Sequence, residues 1–330
     1  MYSTLRFLAL LGIMALFASP TVNAVTISEV VGQISQTSFQ SYITQTMPTH
    51  LGQNRAIDMG TVGNVKIHGA EHDAAAEAIF QAFRRSGWTT RYDPFAITDT
   101  SGVLWNGRNV IAIKQGTLHP DDIYVVAGHY DSIANHETTW TTAPGGDDNA
   151  SGVAGILEIA RVLSRYTFDS TIVLIAFDGE ETTAYTTSVT YRRIGSIKYT
   201  LDHQTDSIKS MVSLDMMSWN DGSNKGRLET GYSQNTTLNA QIANALATYG
   251  GLGYATNNSM NYGDHVSFAN IGVPALMLIE NNWSANPNYH RQTDSPDTPN
   301  YIDFAYGTKI VKSTAGWLCE VAGLNGVNAD

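Results

Sequence analysis

The sequence predicts an α/β domain built as a three-layer sandwich: a mixed, mostly parallel sheet covered by helices on both faces. Three observations carry this. Strand-like runs alternate with helical periodicities along the chain, the pattern of a layered α/β fold. The runs are apolar throughout, as in strands buried on two faces. His129, Glu180, Glu181 and Asp215 all fall just past apolar runs, where open α/β sheets bind their ligands.

The elements follow in order. Residues 1–24 read as a secretory signal: Arg6 is the only charge, Phe7 to Phe17 is apolar except for Gly12, and Val22-Asn23-Ala24 offers a small-residue cleavage site. An apolar stretch of about ten residues is too short to span a bilayer. The mature chain, 25–330, is expected to be a single catalytic domain, secreted or periplasmic. Residues 25–55 are polar, with weak helical periodicity, and read as short helices wrapping the core; a propeptide over 25–50 is the alternative. Ala70 to Ser86 has Ala76, Ile79, Phe80 and Phe83 on one face and stops at Gly87, a helix. Val110 to Lys114 and Ile123 to Ala127 read as consecutive strands across a Gly/Pro/Asp turn. Ser151 to Ser164 is helical, Thr171 to Phe177 a central strand and Met211 to Leu214 another. Asn239 to Tyr249 reads as a helix, Pro274 to Ile279 as a strand and Phe304 to Val321 as a closing helix.

The chain of 330 residues carries a net charge of −11, and loss of residues 1–24 removes only Arg6. This acidity argues against binding nucleic acid or anionic lipid through bulk charge. Carboxylates reserved for cations contribute to it. Cys319 is the single cysteine, so an internal disulfide and a multi-thiolate zinc site are both excluded. It lies in an apolar helical pattern and reads as a buried, inert thiol.

The chemistry concentrates in a few segments. Gly128-His129-Tyr130-Asp131-Ser132 follows a strand, and Asp131 is placed to accept the second ring N–H of a metal-bound His129. Asp147-Asp148-Asn149-Ala150-Ser151-Gly152 follows a glycine pair and opens a helix; a helix cap is the plain reading, a presented carboxylate the functional one. Glu180 and Glu181 end a strand that should be buried, where unpaired charge is costly. One can bind metal while the other moves a proton in metal-assisted hydrolysis. Asp215 follows Val212 to Leu214 and also needs a partner, whereas His290 lies in a loop. Imidazole with hard oxygen donors suits zinc in a hydrolytic site.

Together the segments GHYDS, PGGDDNASG, FDGEE, SLDMM, GDHVSF with GVPALMLIE, and YHRQTD occur in an order that resembles the secreted bacterial leucyl aminopeptidases of the co-catalytic di-zinc aminopeptidase family. That family also holds glutamate carboxypeptidases and glutaminyl cyclases, and the resemblance runs from about residue 30 to the end. It implies two zinc ions bridged by Asp148. His129 and Asp215 would complete one site, Glu181 and His290 the other. Glu180 would be the general base, acting on the zinc-activated water, and later the acid; Asp131 would orient His129. Tyr289 or Tyr262 would donate to the developing oxyanion. By matching position Met216, Ile279 and Trp283, with Tyr262, would line an apolar pocket for a Leu-like or Met-like first residue.

The chain departs from the family pattern after the glutamates. Thr182 to Ser188 replaces the usual Gly-Leu and Gly-Ser segment at the substrate rim, and Asn258 to Tyr262 lacks the cysteine found in some relatives. The expected reaction is removal of the N-terminal residue from peptides with a free N-terminus, by a monomer. A one-zinc glutaminyl cyclase is the nearest rival, but it should lack the Asp-Asn-Ala-Ser-Gly continuation. A carboxypeptidase would want arginines near the motifs, which are few in sequence. A non-enzymatic ectodomain would have lost ligands, and here every ligand and the base are kept.

Overall fold

The structure, a computed structural model, describes residues 25–44, 51–258 and 262–328. The signal reading of 1–24 lies outside the described residues. Helices α1 (Ile27–Val31) and α2 (Gln36–Thr44) lead to the small hairpin β1 (Thr61–Val62) and β2 (Val65–Lys66). Then come α3 (His72–Arg85), β3 (Thr89–Thr98), β4 (Leu104–Lys114) and β5 (His119–His129). A loop reaches α4 (Ala150–Leu163), β6 (Tyr166–Phe168) and β7 (Ser170–Phe177). The hairpin β8 (Thr183–Tyr185) and β9 (Thr190–Arg192) precedes α5 (Ile194–Asp202) and β10 (Ile208–Leu214). Next are β11 (Lys225–Glu229), α6 (Thr236–Ala245), β12 (Gly253–Asn257), α7 (His265–Asn270) and β13 (Ala275–Glu280). Helix α8 (Phe304–Val321) and β14 (Leu324–Val327), which pairs with β6, close the chain.

The main sheet runs β1-β2-β4-β7-β5-β10-β13-β11-β12, with β3 against β4. Its centre, β7-β5-β10-β13, is parallel, while β4 and β11 join antiparallel on either side. All eight residues of β7 are buried. Their side chains nonetheless alternate between two cores. Ile172, Leu174 and Ala176 join the face packed by α3, α4 and α8, whereas Val173, Ile175 and Phe177 join the face covered by α5 and α7. This is the period of two of a strand between two helical layers. Val30, Phe39 and Ile43 of α1 and α2 are buried in the larger core.

The apolar runs mark the central strands but understate them: β4 begins at Leu104 rather than Val110, and β5 extends to His129. The helix read from Asn239 starts at Thr236, and its α-turns end at Ala245, where a wider turn carries Leu246–Gly250 to Gly251 at φ +62°. Strand β3 carries Pro94 and mostly exposed or half-buried residues, β12 is a short edge strand, and β11 is a short strand between β12 and β13. None of the three has a continuous apolar run. Among the described residues no helix is long and apolar enough to cross a membrane.

One junction sets the site. Asn149, at the start of α4, accepts from the Gly152 N–H at 2.8 Å and donates to the Leu214 carbonyl at 2.8 Å. A Cβ on Gly152 would stand 2.3 Å from that same carbonyl, so glycine is required for the approach. The contact pulls the start of α4 against the end of β10. Asp148 and Asp215 are thereby brought to one place.

Candidate metal centre

Three parallel strands deliver the candidate site residues at their C-terminal ends. His129 is the last residue of β5, Asp178-Gly179-Glu180-Glu181 follows β7, and Asp215 follows β10. Asp148 arrives from the loop before α4, and His290 from the loop after β13, at φ +55°. From sequence, Asp148 reads as either a cap or a presented carboxylate. In the structure Asn149 is the cap, which leaves Asp148 for the site.

Asp148 divides its two oxygens. Oδ1 lies 3.3 Å from His129 Nε2, and Oδ2 lies 3.2 Å from His290 Nε2. On the first side Asp215 Oδ1 is 3.5 Å from His129 Nε2; on the second, Glu181 Oε2 is 3.2 Å from His290 Nε2. In each triad, His129–Asp148–Asp215 and Asp148–Glu181–His290, the donor atoms lie within 4.8 Å of one another. All five residues read from the sequence as ligands therefore converge, and Asp148 belongs to both sets.

The outer nitrogens are held as well. His290 Nδ1 is 3.0 Å from Asn135 Oδ1. His129 Nδ1 is 3.1 Å from the backbone carbonyl of Asp131 and 3.4 Å from its Oδ1. This refines the sequence reading, which gives the contact to the carboxylate alone. The Asp131 carboxylate also braces the glutamates. Its Oδ1 accepts from the Glu180 N–H and its Oδ2 from the Glu181 N–H, each at 3.1 Å. Gly179, at φ +73°, makes the bend that lets both amides face Asp131.

The electrostatics are those of a crowded acidic cluster. Burial drives Glu180 well above the carboxylate range, reinforced by Glu181, Asp264 and Asp215, and drives Glu181 to about 7. Burial opposes the charge on Asp148 too, but the two imidazoles win and lower it. His290 resists burial and rises to about 11 beside Glu181 and Asp148. Asp215 Oδ1 is buried with no hydrogen-bond partner. Carboxylates facing one another with an orphaned oxygen, around two imidazoles, form a donor set that fits divalent cations of the zinc class.

A family model described as "Peptidase family M28" matches residues 109–311, a segment that holds every residue of both triads. The chain belongs to peptidase family M28. It is 26% identical over 247 residues to a probable zinc metalloprotease of Leptosphaeria maculans, covering 62% of this chain and 54% of that protein. The chain thus spans about half the length of the curated relatives it matches first. Among solved structures it is similar to BSAP, a zinc aminopeptidase from Bacillus subtilis, with a TM-score of 0.69 and 16% identity over 87% of this chain and 95% of that one. It is also similar to the Porphyromonas gingivalis glutaminyl cyclase, with a TM-score of 0.69 and 20% identity over 87% of this chain and 99% of that one. These two likenesses establish a shared fold.

Around the M28 centre a cavity of about 600 Å³ opens. Met216, Met277 and Ile279 form its apolar wall with Trp283 and Tyr289. The sequence reading includes Met216, Ile279 and Trp283 as pocket residues; it misses Met277, two positions before Ile279 on the same strand. Tyr289 is half-buried against Trp283 and His290, and burial together with the nearby carboxylates keeps its phenol protonated. Tyr262 stands at the rim, 69% exposed. The divergent segment after the glutamates folds as the β8–β9 hairpin, which brings Thr182, Tyr185, Arg192 and Arg193 to the cavity. Arginines thus lie near the site, although the linear motifs contain few.

Sequence reading also misses the supports. Arg55 is fully buried and donates to the carbonyls of Tyr130 at 2.7 Å and Gly145 at 2.9 Å, bracing the loops that carry Asp131 and Asp148. Asp294 accepts from the Asp147 N–H at 2.7 Å and the Asp148 N–H at 3.0 Å. The Asp294 position is visible inside YHRQTD; nothing in the linear pattern announces Arg55.

Proposed function

We propose that the chain is a zinc-dependent aminopeptidase that hydrolyses the N-terminal residue of peptides. The observation that carries this is the division of the Asp148 oxygens between the His129 and His290 groups. His129, Asp148 and Asp215 would hold one zinc ion, and Asp148, Glu181 and His290 a second. A pair of such ions supplies Lewis acidity toward a carbonyl and makes a water nucleophilic near neutral pH.

The remaining roles belong to the chain. Glu180, poised by the Asp131 contacts and not used in the Asp148 triads, takes the proton of the attacking water on its carboxylate and returns it to the leaving nitrogen. Tyr289 is favoured over the exposed Tyr262 as hydrogen-bond donor to the developing oxyanion. The Met216, Met277, Ile279 and Trp283 wall suits an apolar first side chain. Arg192 at the cavity mouth suits short peptides whose C-terminal carboxylate comes within reach. The reading of 1–24 supports export, with action outside the cytoplasm.

The fold similarity to a glutaminyl cyclase keeps that reading in the same experiment. Purified mature protein is offered leucyl and methionyl chromogens, their N-blocked forms, free and amidated short peptides, and an N-terminal glutaminyl peptide. Turnover of free but not blocked aminoacyl substrates, abolished by chelator and restored by zinc, is expected. Pyroglutamate formation without aminoacyl hydrolysis would replace the peptidase reading with the cyclase one.

A further inference from the structure

A second set of metal-type donors lies outside this centre, where β2 leads into α3. His68, His72 and Asp73 each offer one ligand atom, and these atoms lie within 4.8 Å of one another. The two histidines are four residues apart, and their ring centroids are 4.2 Å apart. Buried polar nitrogens in proteins are nearly always hydrogen-bonded. Here His68 Nε2 and His72 Nδ1 are both buried without a hydrogen-bond partner, and His72 is 0% exposed. The Asp73 Oδ1 atom faces His72 Nδ1 at 3.9 Å, too far for a hydrogen bond and close enough to share an ion.

The other side of the His72 ring is already held: its Nε2 sits 2.8 Å from Asp178 Oδ1. A histidine fixed by a carboxylate on one nitrogen and open on the other is oriented as metal-binding histidines are. We propose that His68 Nε2, His72 Nδ1 and the Asp73 carboxylate form a further divalent-cation site of the zinc class, separate from the main centre.

Two imidazoles and one carboxylate are a donor set that zinc accepts, whereas calcium and magnesium select oxygen. Zinc–ligand bonds of about 2.0–2.2 Å require the donors to draw in. The Asp73 side chain is 76% exposed and free to turn. Its present neighbour is Arg108, whose Nη2 is 3.6 Å from Asp73 Oδ1 and 3.2 Å from the Asp73 carbonyl. An arriving cation takes the carboxylate and leaves Arg108 its carbonyl. The effect reaches further through Asp178, which also accepts from Tyr130 Oη at 2.7 Å and the Arg108 N–H at 3.0 Å. Asp178 is the residue before the Gly179 bend, so a cation on His72 stiffens the base of the turn that presents Glu180 and Glu181.

The test compares zinc stoichiometry in three full-length mature proteins: wild type, His68→Ala and Asp73→Ala. Each is stripped with chelator, titrated with zinc chloride by calorimetry and checked by elemental analysis after dialysis. Each variant is expected to bind about one equivalent fewer than wild type and to show a smaller zinc-dependent rise in melting temperature. Equal stoichiometry in all three overturns the site and leaves His72 as an ion-pair partner of Asp178 only. The difference between proteins is read, not the total, so failure of the di-zinc reading of the main centre leaves this comparison intact. If His68→Ala does not fold, Asp73→Ala, altered only at an exposed side chain, decides alone.

Discussion

Two groups of buried carboxylates meet near the C-terminal ends of the central strands, and they are satisfied in opposite ways. Asp148, Glu180, Glu181 and Asp215 face one another and two imidazoles across the cavity, and Asp215 Oδ1 makes no hydrogen bond, with His129 Nε2 at 3.5 Å. Asp147, Glu280 and Asp294 are surrounded by donors instead. Asp147 accepts from the Ser218 N–H at 2.7 Å and from Asn286 Nδ2 at 3.3 Å. Glu280 accepts from the same Asn286 amide at 3.0 Å and from the Trp219 N–H at 3.0 Å. Burial raises Asp147 to about 6, and burial with Asp147 alongside lifts Glu280 well above its usual range. A buried acid supplied with donors positions the chain; a buried acid facing other acids suits a cation. Asp147 and Asp148, adjacent in sequence, fall on opposite sides of that line.

The sharpest way to break the comparison is to exchange their roles. Asp148→Asn should empty both triads of zinc and abolish turnover, because only a carboxylate shared by both groups affects both. Asp147→Asn should keep its metal and cost only about 1–3 kcal/mol of stability, the scale of a disturbed buried hydrogen bond. Elemental analysis and thermal melting of the two variants decide. Zinc lost from Asp147→Asn but kept by Asp148→Asn would invert the assignment.

A second division runs within the cation-facing group. Glu180→Gln should retain zinc and the fold yet lose at least about a hundredfold in turnover, the scale of a removed general base. Glu181→Gln should lose zinc affinity first and turnover in consequence. Activity should fall on the acid side of its pH profile as Glu180 is protonated and as protons compete for His129 and His290. A Glu180→Gln protein that is fully active with its metal in place would end the base assignment.

A smaller effect is expected where the two kinds of acid meet in one residue. Asp131 both contacts the His129 ring and accepts the Glu180 and Glu181 amides. Asp131→Asn retains the shape but can no longer accept equally on both sides. Zinc affinity or activity should drop about 10–100-fold, as for other residues that hold a metal ligand in place. Competition with a chelator of known affinity measures it, and an unchanged affinity would make Asp131 a purely local brace. The mildest change should come from Tyr262→Phe, at the exposed rim. It should leave kcat within about twofold, whereas Tyr289→Phe should lose on the order of a hundredfold if it binds the oxyanion.

Much of this protein is legible in the chain. The four central strands and α4 announce themselves because a residue buried on every side has few options beyond the apolar set. The ordered motifs mark all five triad residues: His129, Glu181 and Asp215 stand out as polar groups at the ends of buried strands, whereas Asp148 and His290, in loops, are marked only by the order of the motifs. The remainder depends on contacts between distant segments. Strands β3 and β12 are largely exposed or half-exposed, and β11 is short and carries Lys225, Arg227 and Glu229, so pairing rather than an apolar run defines all three. The β8–β9 hairpin brings Arg192 and Arg193 to a cavity that their sequence neighbours do not reveal. Arg55 is buried because it has the backbone carbonyls of Leu51 in its own segment and of Tyr130, Pro144 and Gly145 at the two ends of the β5–α4 connection to bind, and no local pattern encodes that. The parting of Asp147 from Asp148 is of the same kind. Both residues are identical in type and share one loop, and only the Asp294 clamp on their amides, the Asn149 anchor to Leu214 and the donors around Asn286 decide which faces the imidazoles.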